Sequence, residues 1–543
     1  MRSTRIATIG ALCAAAGIVG CGGSSGGGGG KADLESASSG QVSSACQGDP
    51  VEGGTLTYQR QSETQSLDPI TLRNGNGDIF ATELIYNGLT RSDPTGKTDD
   101  LVGGVSDKWT VSDDGKTYRF HIRDGIKFSN GDPVTPEDVK FTLDRFGDPK
   151  INQVLSVVAG GYGSSKVVDK STVEVKLTQP VASFLYNISI FPAFVVPKKL
   201  VEKQGNAFFK KPVGTGPYRV KSFTRGSNIV FERNPYYWEK DKPYLDEIKF
   251  AFATDSNTRV LAVKNGEAQI ADGVPFSQIN DLKGNKDVTL QSVKVPLFIG
   301  LWLNHKRGPL ADKSVRQAMQ YALDRKEIND GIFRGVGTIP NSVLPPLKYD
   351  APLSDLPAYG YDVAKAKELI AGSKYKDGFS LTLQYPSGYD YYKQLALLMQ
   401  QQYKAIGITL KLTELDPAEV TNRFNNEEYD ITFPYAQFTS DVVVPDEYAT
   451  FLTDSDDIDG FFSSWKDLAI RKQVQEFTST PDEAKRAELW PQIQKALLEE
   501  TPVINVMNVP YVNVHRSNVC GTSVNALGAD HLEDTWIAAG KGN

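Results

Sequence analysis

Four histidines, His121, His305, His515 and His531, are the first place to look for acid–base or metal chemistry, and each stands alone. No HxxxH or HExxH spacing joins them and no CxxC pair occurs, so no zinc site is written in the chain. His121 and His515 sit in strand-like runs and read as structural or surface residues. There is no GxSxG elbow for an esterase. Gly214 and Gly216 are followed by neither Lys-Ser nor Lys-Thr, which excludes a phosphate loop. The run Asp454-Ser455-Asp456-Asp457-Ile458-Asp459-Gly460 places its glycine seventh, where a calcium loop needs it sixth, and so reads as a solvated turn. With 66 acidic residues, no carboxylate pair singles itself out for glycoside hydrolysis. No catalytic residue, metal or cofactor is expected.

The amino end addresses the chain to a compartment. Met1–Arg5 is a short basic segment, and Ile6–Val19 is an apolar stretch of signal-peptide length, too short to span a bilayer. Residues 1–20 are therefore expected to be a signal peptide. Ile18-Val19-Gly20-Cys21 resembles the lipobox of bacterial lipoproteins, which implies lipidation of Cys21. Residues 22–30 contain only Gly and Ser, a composition that buries no core and behaves as a tether, so 21–49 is expected to be a lipidated cysteine plus linker. Of the other cysteines, Cys13 lies in the signal, leaving Cys46 and Cys520 as either a disulfide or two separate thiols. A bridge closing so long a loop would contribute at most about 5 kcal/mol.

At 543 residues the chain is too long for one core and must divide into lobes. Its formal charge of −7, which becomes −9 without Arg2 and Arg5, argues against a nucleic-acid partner. Trp109–Val111 and Thr117–Ile122 flank Asp113-Asp114-Gly115, the pattern of a hairpin. A second turn and a third short strand should follow. Thr135-Pro136-Glu137-Asp138 then opens a helix, with Thr135 as N-cap, Pro136 at N1 and Asp138 at N3. Val315, Ala318, Met319, Ala322 and Leu323 form the apolar stripe of another helix. Strands are expected at 298–304, 381–385 and 408–412, and a helix at 392–406. Such alternation indicates an α/β sheet covered by helices.

Several of these stretches together resemble the extracytoplasmic solute-binding proteins of peptide and nickel ABC importers. The resemblance rests on the block 109–145, on Ser66-Leu67-Asp68-Pro69, and on Gly214-Thr215-Gly216-Pro217-Tyr218 with Asn234-Pro235-Tyr236-Tyr237-Trp238. A further pattern runs through Asn304, Arg316, Gln317, Ala318, Ala322, Leu323, Asp324 and Arg325, whose work should be packing. The family implies a two-lobed, periplasmic-binding-protein-like type II α/β fold with an extra inserted subdomain. Lobe I would comprise 50–90, 188–296 and 501–543, the inserted subdomain 91–187, and lobe II 297–500.

The resemblance also implies a ligand site. An aspartate four residues before a proline pairs with the α-ammonium of a bound peptide, which places Asp441 ahead of Pro445. Phe438 stands where a tryptophan is usual and keeps an aromatic platform beside Thr439, while Val444 replaces a residue that is often acidic. Glu63 and Thr64 fall where relatives touch the ligand backbone. The implied function is a lipoprotein, anchored by Cys21 to the outer face of the cytoplasmic membrane. It would act as a monomer that captures peptides and passes them to separate permease and ATPase subunits. Alternatives are another solute (nickel chelate, opine or oligosaccharide), a surface sensor that does not import, and an exported hydrolase.

Overall fold

The computed structural model describes residues 48–71, 75–94, 100–152, 156–293, 297–351, 359–434, 438–439, 442–453, 459–524, 528 and 530–538. Cys21, Cys46, Asp441 and most of the acidic run, 454–458, lie outside the described residues.

Period-two burial builds the first sheet. Strand Thr55–Arg60 points Leu56, Tyr58 and Arg60 inward and leaves Thr55, Thr57 and Gln59 more exposed. Parallel strands Glu247–Phe252 and Ile270–Ala271 flank it. The complete order is Val288–Val293, Tyr511–Arg516, Ile270–Ala271, Thr55–Arg60, Glu247–Phe252, Asn228–Arg233 and Tyr218–Thr224. Neighbours in space thus come from the beginning, middle and end of the chain.

The second sheet is organised by Leu297–Leu303, a run of LFIGLWL buried at every position. A continuous apolar strand must be covered on both faces. Leu297, Ile299, Leu301 and Leu303 enter one core, and Phe298 and Trp302 enter another. Gly300 lies between those rings, where an added Cβ would come within 2.2 Å of the Trp302 indole. The sheet order is Ile408–Leu415, Phe379–Pro386, Ile431–Thr432, Leu297–Leu303 and Phe438–Thr439, and Val503–Asn508 also pairs with Leu297–Leu303. That last pairing corrects the expected return to lobe I at 501. Val503–Asn508 stays in the second sheet and Tyr511–Arg516 joins the first, so the chain crosses at Val509 and Pro510. A fully buried strand has the same local pattern in either lobe, and only its distant partner decides.

A third, antiparallel sheet has the order Ser106–Val111, Thr117–Ile122, Thr172–Leu177, Tyr162–Val167. Gly115 takes φ 66° in its first turn, as the hairpin requires. The expected third short strand is only a single bridge between Lys127 and Pro133. Helix Pro136–Gly147 begins at a complete capping box. The Asp138 amide donates to Thr135 Oγ1 (3.4 Å), and the Thr135 amide donates to Asp138 Oδ2 (2.9 Å). Among the described residues this sheet shares its core with the first, since Phe120, Val173 and Phe184 pack in the same cluster as Leu56 and Tyr58.

The Asn304–Arg325 pattern is structural. Arg316, on helix Lys313–Tyr321, donates to the carbonyls of Leu310, Ala311, Glu500 and Thr501 at 2.7–3.1 Å, satisfying the ends of two helices. Asn304 ties down the carbonyls of Glu427 and Tyr429, each at 2.9 Å. His305 meets the Pro502 carbonyl at 3.1 Å, and burial drives its pKa down to about 3, as burial alone does for His515. His121 pairs with Asp107 of the adjacent strand at 2.7 Å. Among the described residues, no helix is long and apolar enough to cross a membrane.

Candidate functional site

The loop after strand Thr55–Arg60 is held from three sides. Asp272, itself paired with Arg60 and Arg259 at 3.2 and 3.3 Å, accepts from the Gln61 amide at 2.9 Å. Glu63 accepts from the Gly226 amide at 2.8 Å, and Arg225 donates to the Thr64 and Gln65 carbonyls at 2.9 and 3.0 Å. Thr64 is fully buried and donates its hydroxyl to the Gly77 carbonyl at 2.6 Å. These contacts give Glu63 and Thr64 a bracing part in the loop. Their side chains fix the loop, and the Thr64 hydroxyl is already committed within lobe I.

Helix Gly75–Ile85 connects this loop to the GTGPY segment. Near its start, Asp78 accepts from the Ser66 amide at 2.9 Å. Where it ends, the Gly216 amide donates to the Ile85 carbonyl at 2.8 Å, and Thr215 Oγ1 accepts from the Asn87 amide at 3.2 Å. Asn234 donates to the Gly216 carbonyl at 2.8 Å, and Trp238 donates to Asn87 Oδ1 at 3.1 Å. The two motifs are thus one packed joint beneath the loop.

Glu83, on the same helix, is partly buried, and desolvation pushes its carboxyl up to about 7, with His531 and Arg91 pulling the other way. Because the folded-state value lies above the unfolded one near 4.5, the ionised group destabilises the fold above pH 7. That penalty disappears as pH falls through 7 towards 4.5. Glu83→Gln should therefore stabilise the protein at pH 8 by about 1–2 kcal/mol, after allowance for solvent screening, and by almost nothing at pH 4.5. Urea midpoints at the two pH values measure the difference; an equal effect at both would refute it.

Phe438–Thr439 pairs with Leu297 and Phe298, on the side of that strand opposite Val503–Asn508. No strand among the described residues pairs on its other side. Glu63 and Thr64 belong to the first lobe, so the expected site residues are divided between the lobes, and Asp441 lies outside the described residues. Beyond it, Val442 and Val444 pack in the core cluster of the first lobe although Phe438–Thr439 belongs to the second sheet. Asp446 then forms a buried ion pair with Arg486. Sequence reading missed both features, since forty residues separate that pair and no local pattern marks it. Among the described residues, no group of three or more His, Cys, Asp or Glu side chains could hold a metal.

Residues 100–460 match the model of the bacterial extracellular solute-binding proteins, family 5 Middle. The chain belongs to this family. The solute-binding protein is 29% identical over 514 residues to di/tripeptide-binding protein 1 of Pseudomonas aeruginosa, an alignment covering 89% of this chain and 94% of the relative. It superposes on DppA of Helicobacter pylori, solved in complex with the peptide STSA, with TM-score 0.78 and 23% identity over 90% of this chain and 99% of the other. The PBP AgaA of A. tumefaciens R10, solved with agropinic acid, gives TM-score 0.76 and 27% identity over 90% and 99%. The two-lobed α/β architecture is that of periplasmic binding proteins. The family is one of solute binding and not of catalysis.

Proposed function

We propose that this solute-binding protein captures short peptides between its two lobes and hands them to an ABC permease, while Cys21 carries a lipid anchor. The observation that carries the reading is the short strand Phe438–Thr439, which begins three positions before Asp441 and has no described strand paired on the side away from Leu297–Leu303. An extended peptide can add to such an edge through main-chain hydrogen bonds, while a carboxylate nearby pairs with its ammonium group. The P. aeruginosa relative, named for di- and tripeptides, supports that ligand class. Cys520 is buried and disulfide-bonded, and we assign Cys46 as its partner, which would join the leading segment to the first lobe.

Mass spectrometry of small molecules released from the purified mature chain should find peptides, and titration calorimetry with di- and tripeptides should give micromolar or tighter binding. A second reading, an opine ligand, is favoured by the likeness to AgaA. Agropinic acid in the same titration separates the two: binding of it and of no peptide would replace the peptide assignment.

A further inference from the structure

The third sheet and the loop after it reach across to the second lobe, at a place the ligand assignment does not use. The Ala182 amide donates to the Thr478 carbonyl at 2.8 Å. Lys348 Nζ lies 3.2 Å from the Tyr186 hydroxyl and 3.3 Å from Glu483, while the Lys348 amide holds the Val443 carbonyl at 2.9 Å. The hairpin tip touches the same region, since a Cβ on Gly115 would stand 2.9 Å from Pro481. Val442 and Val444 are 3% and 1% exposed, in one cluster with Phe184 and Ile190. Next to them the Arg486 guanidinium pairs with Asp446 and stacks 4.3 Å from the Phe477 ring centre and 5.2 Å from that of Tyr349. Burial raises the Asp446 pKa, with Arg486 and Ser183 among the groups opposing it.

We propose that these residues form a catch: the inserted subdomain grips Val442–Asp446, the segment directly after Asp441, and thereby sets how long the lobes stay closed on a ligand. The proposal rests on the peptide reading for the ligand and on this interface for the device. Buried apolar side chains crossing from one lobe to the other must be exposed to water when the lobes separate, which slows opening. Lys348 and Tyr186 add a polar contact at the partly exposed margin. The carboxylate expected to hold the ligand is therefore joined by sequence to the segment that the catch holds, so ligand capture and closure are mechanically coupled. Lys348, Tyr186 and Val444 are positioning residues; none is assigned a ligand contact.

The test uses the full mature chain in three forms: the parent, the margin double variant Lys348→Met with Tyr186→Phe, and Val444→Asp. Small-angle scattering should give a larger radius of gyration for Val444→Asp than for the parent with no peptide added. Stopped-flow displacement of a fluorescent dipeptide should show release at least tenfold faster in Val444→Asp and about threefold faster in the double variant, with association rates within threefold of the parent. Melting temperatures report whether each variant is folded, and the double variant, altered only at the margin, keeps the test open if Val444→Asp unfolds. Unchanged scattering and release rates in folded variants would overturn the catch. If the parent binds no peptide, the peptide reading fails, and scattering alone then decides the catch.

Discussion

Asp441→Ala is expected to weaken peptide binding at least tenfold, with the melting temperature held. Tenfold corresponds to about 1.4 kcal/mol, a modest value for removing the charged partner of an ammonium group shielded from water. The larger losses seen when one member of a buried pair is deleted come from leaving the other unpaired, and under the proposed pairing that other group is the ligand's own amine. Acetylating the amine supplies the matching half of a double-mutant cycle. The acetylated peptide should bind the parent as weakly as the free peptide binds the variant, and the two changes together should cost little more than either alone. Calorimetry on the four combinations measures the coupling; additive losses would remove the ammonium assignment.

Gly216→Ala should strongly destabilise the fold. Its Cβ would stand 2.5 Å from the carbonyl carbon of Ile85 and 2.6 Å from the Leu84 oxygen, both of them backbone atoms. No rotamer change relieves a clash with backbone, so the joint between the GTGPY segment and helix Gly75–Ile85 must part. Overpacking of this kind costs about 2–4 kcal/mol. Gly331 is the control, since beyond its chain neighbours and its own helix backbone no atom lies within 4 Å of its Cβ position and its φ is ordinary, so alanine there should be neutral or slightly stabilising. Urea unfolding of both variants gives the comparison, and equal midpoints would refute the close-approach account.

The glycine pair illustrates what the sequence discloses and what it withholds. GTGPY and NPYYW are legible as motifs, yet only the structure shows them meeting around Asn87 and Asn234. Local signals were sufficient wherever local physics decides: the Thr135 capping box, the Gly115 turn and the stripe through Val315 and Met319 are all present. Where a distant partner decides, local signals were silent. The span 501–543 reads as lobe I, yet Val503–Asn508 pairs in the second sheet, because period and burial do not name the strand it pairs with. The bond from the Thr64 hydroxyl to the Gly77 carbonyl, thirteen residues on, likewise has no local signature. Val442 and Val444 have the same apolar character whether they line their own lobe or cross to the other, and nothing in the Tyr429–Phe451 stretch announces the crossing.

The order of strands in the first sheet also bears on how the molecule is made. Tyr511–Arg516 lies between Val288–Val293 and Ile270–Ala271, so a gap stands in that sheet until residues 511–516 have been delivered. The second sheet takes all its strands from 297–508 and is complete before then. During synthesis the closing strands of both sheets therefore arrive almost together, and until then the first sheet waits with two unsatisfied edges. A ribosome that stalls, or a protease that cuts, before residue 503 thus leaves both sheets without a strand.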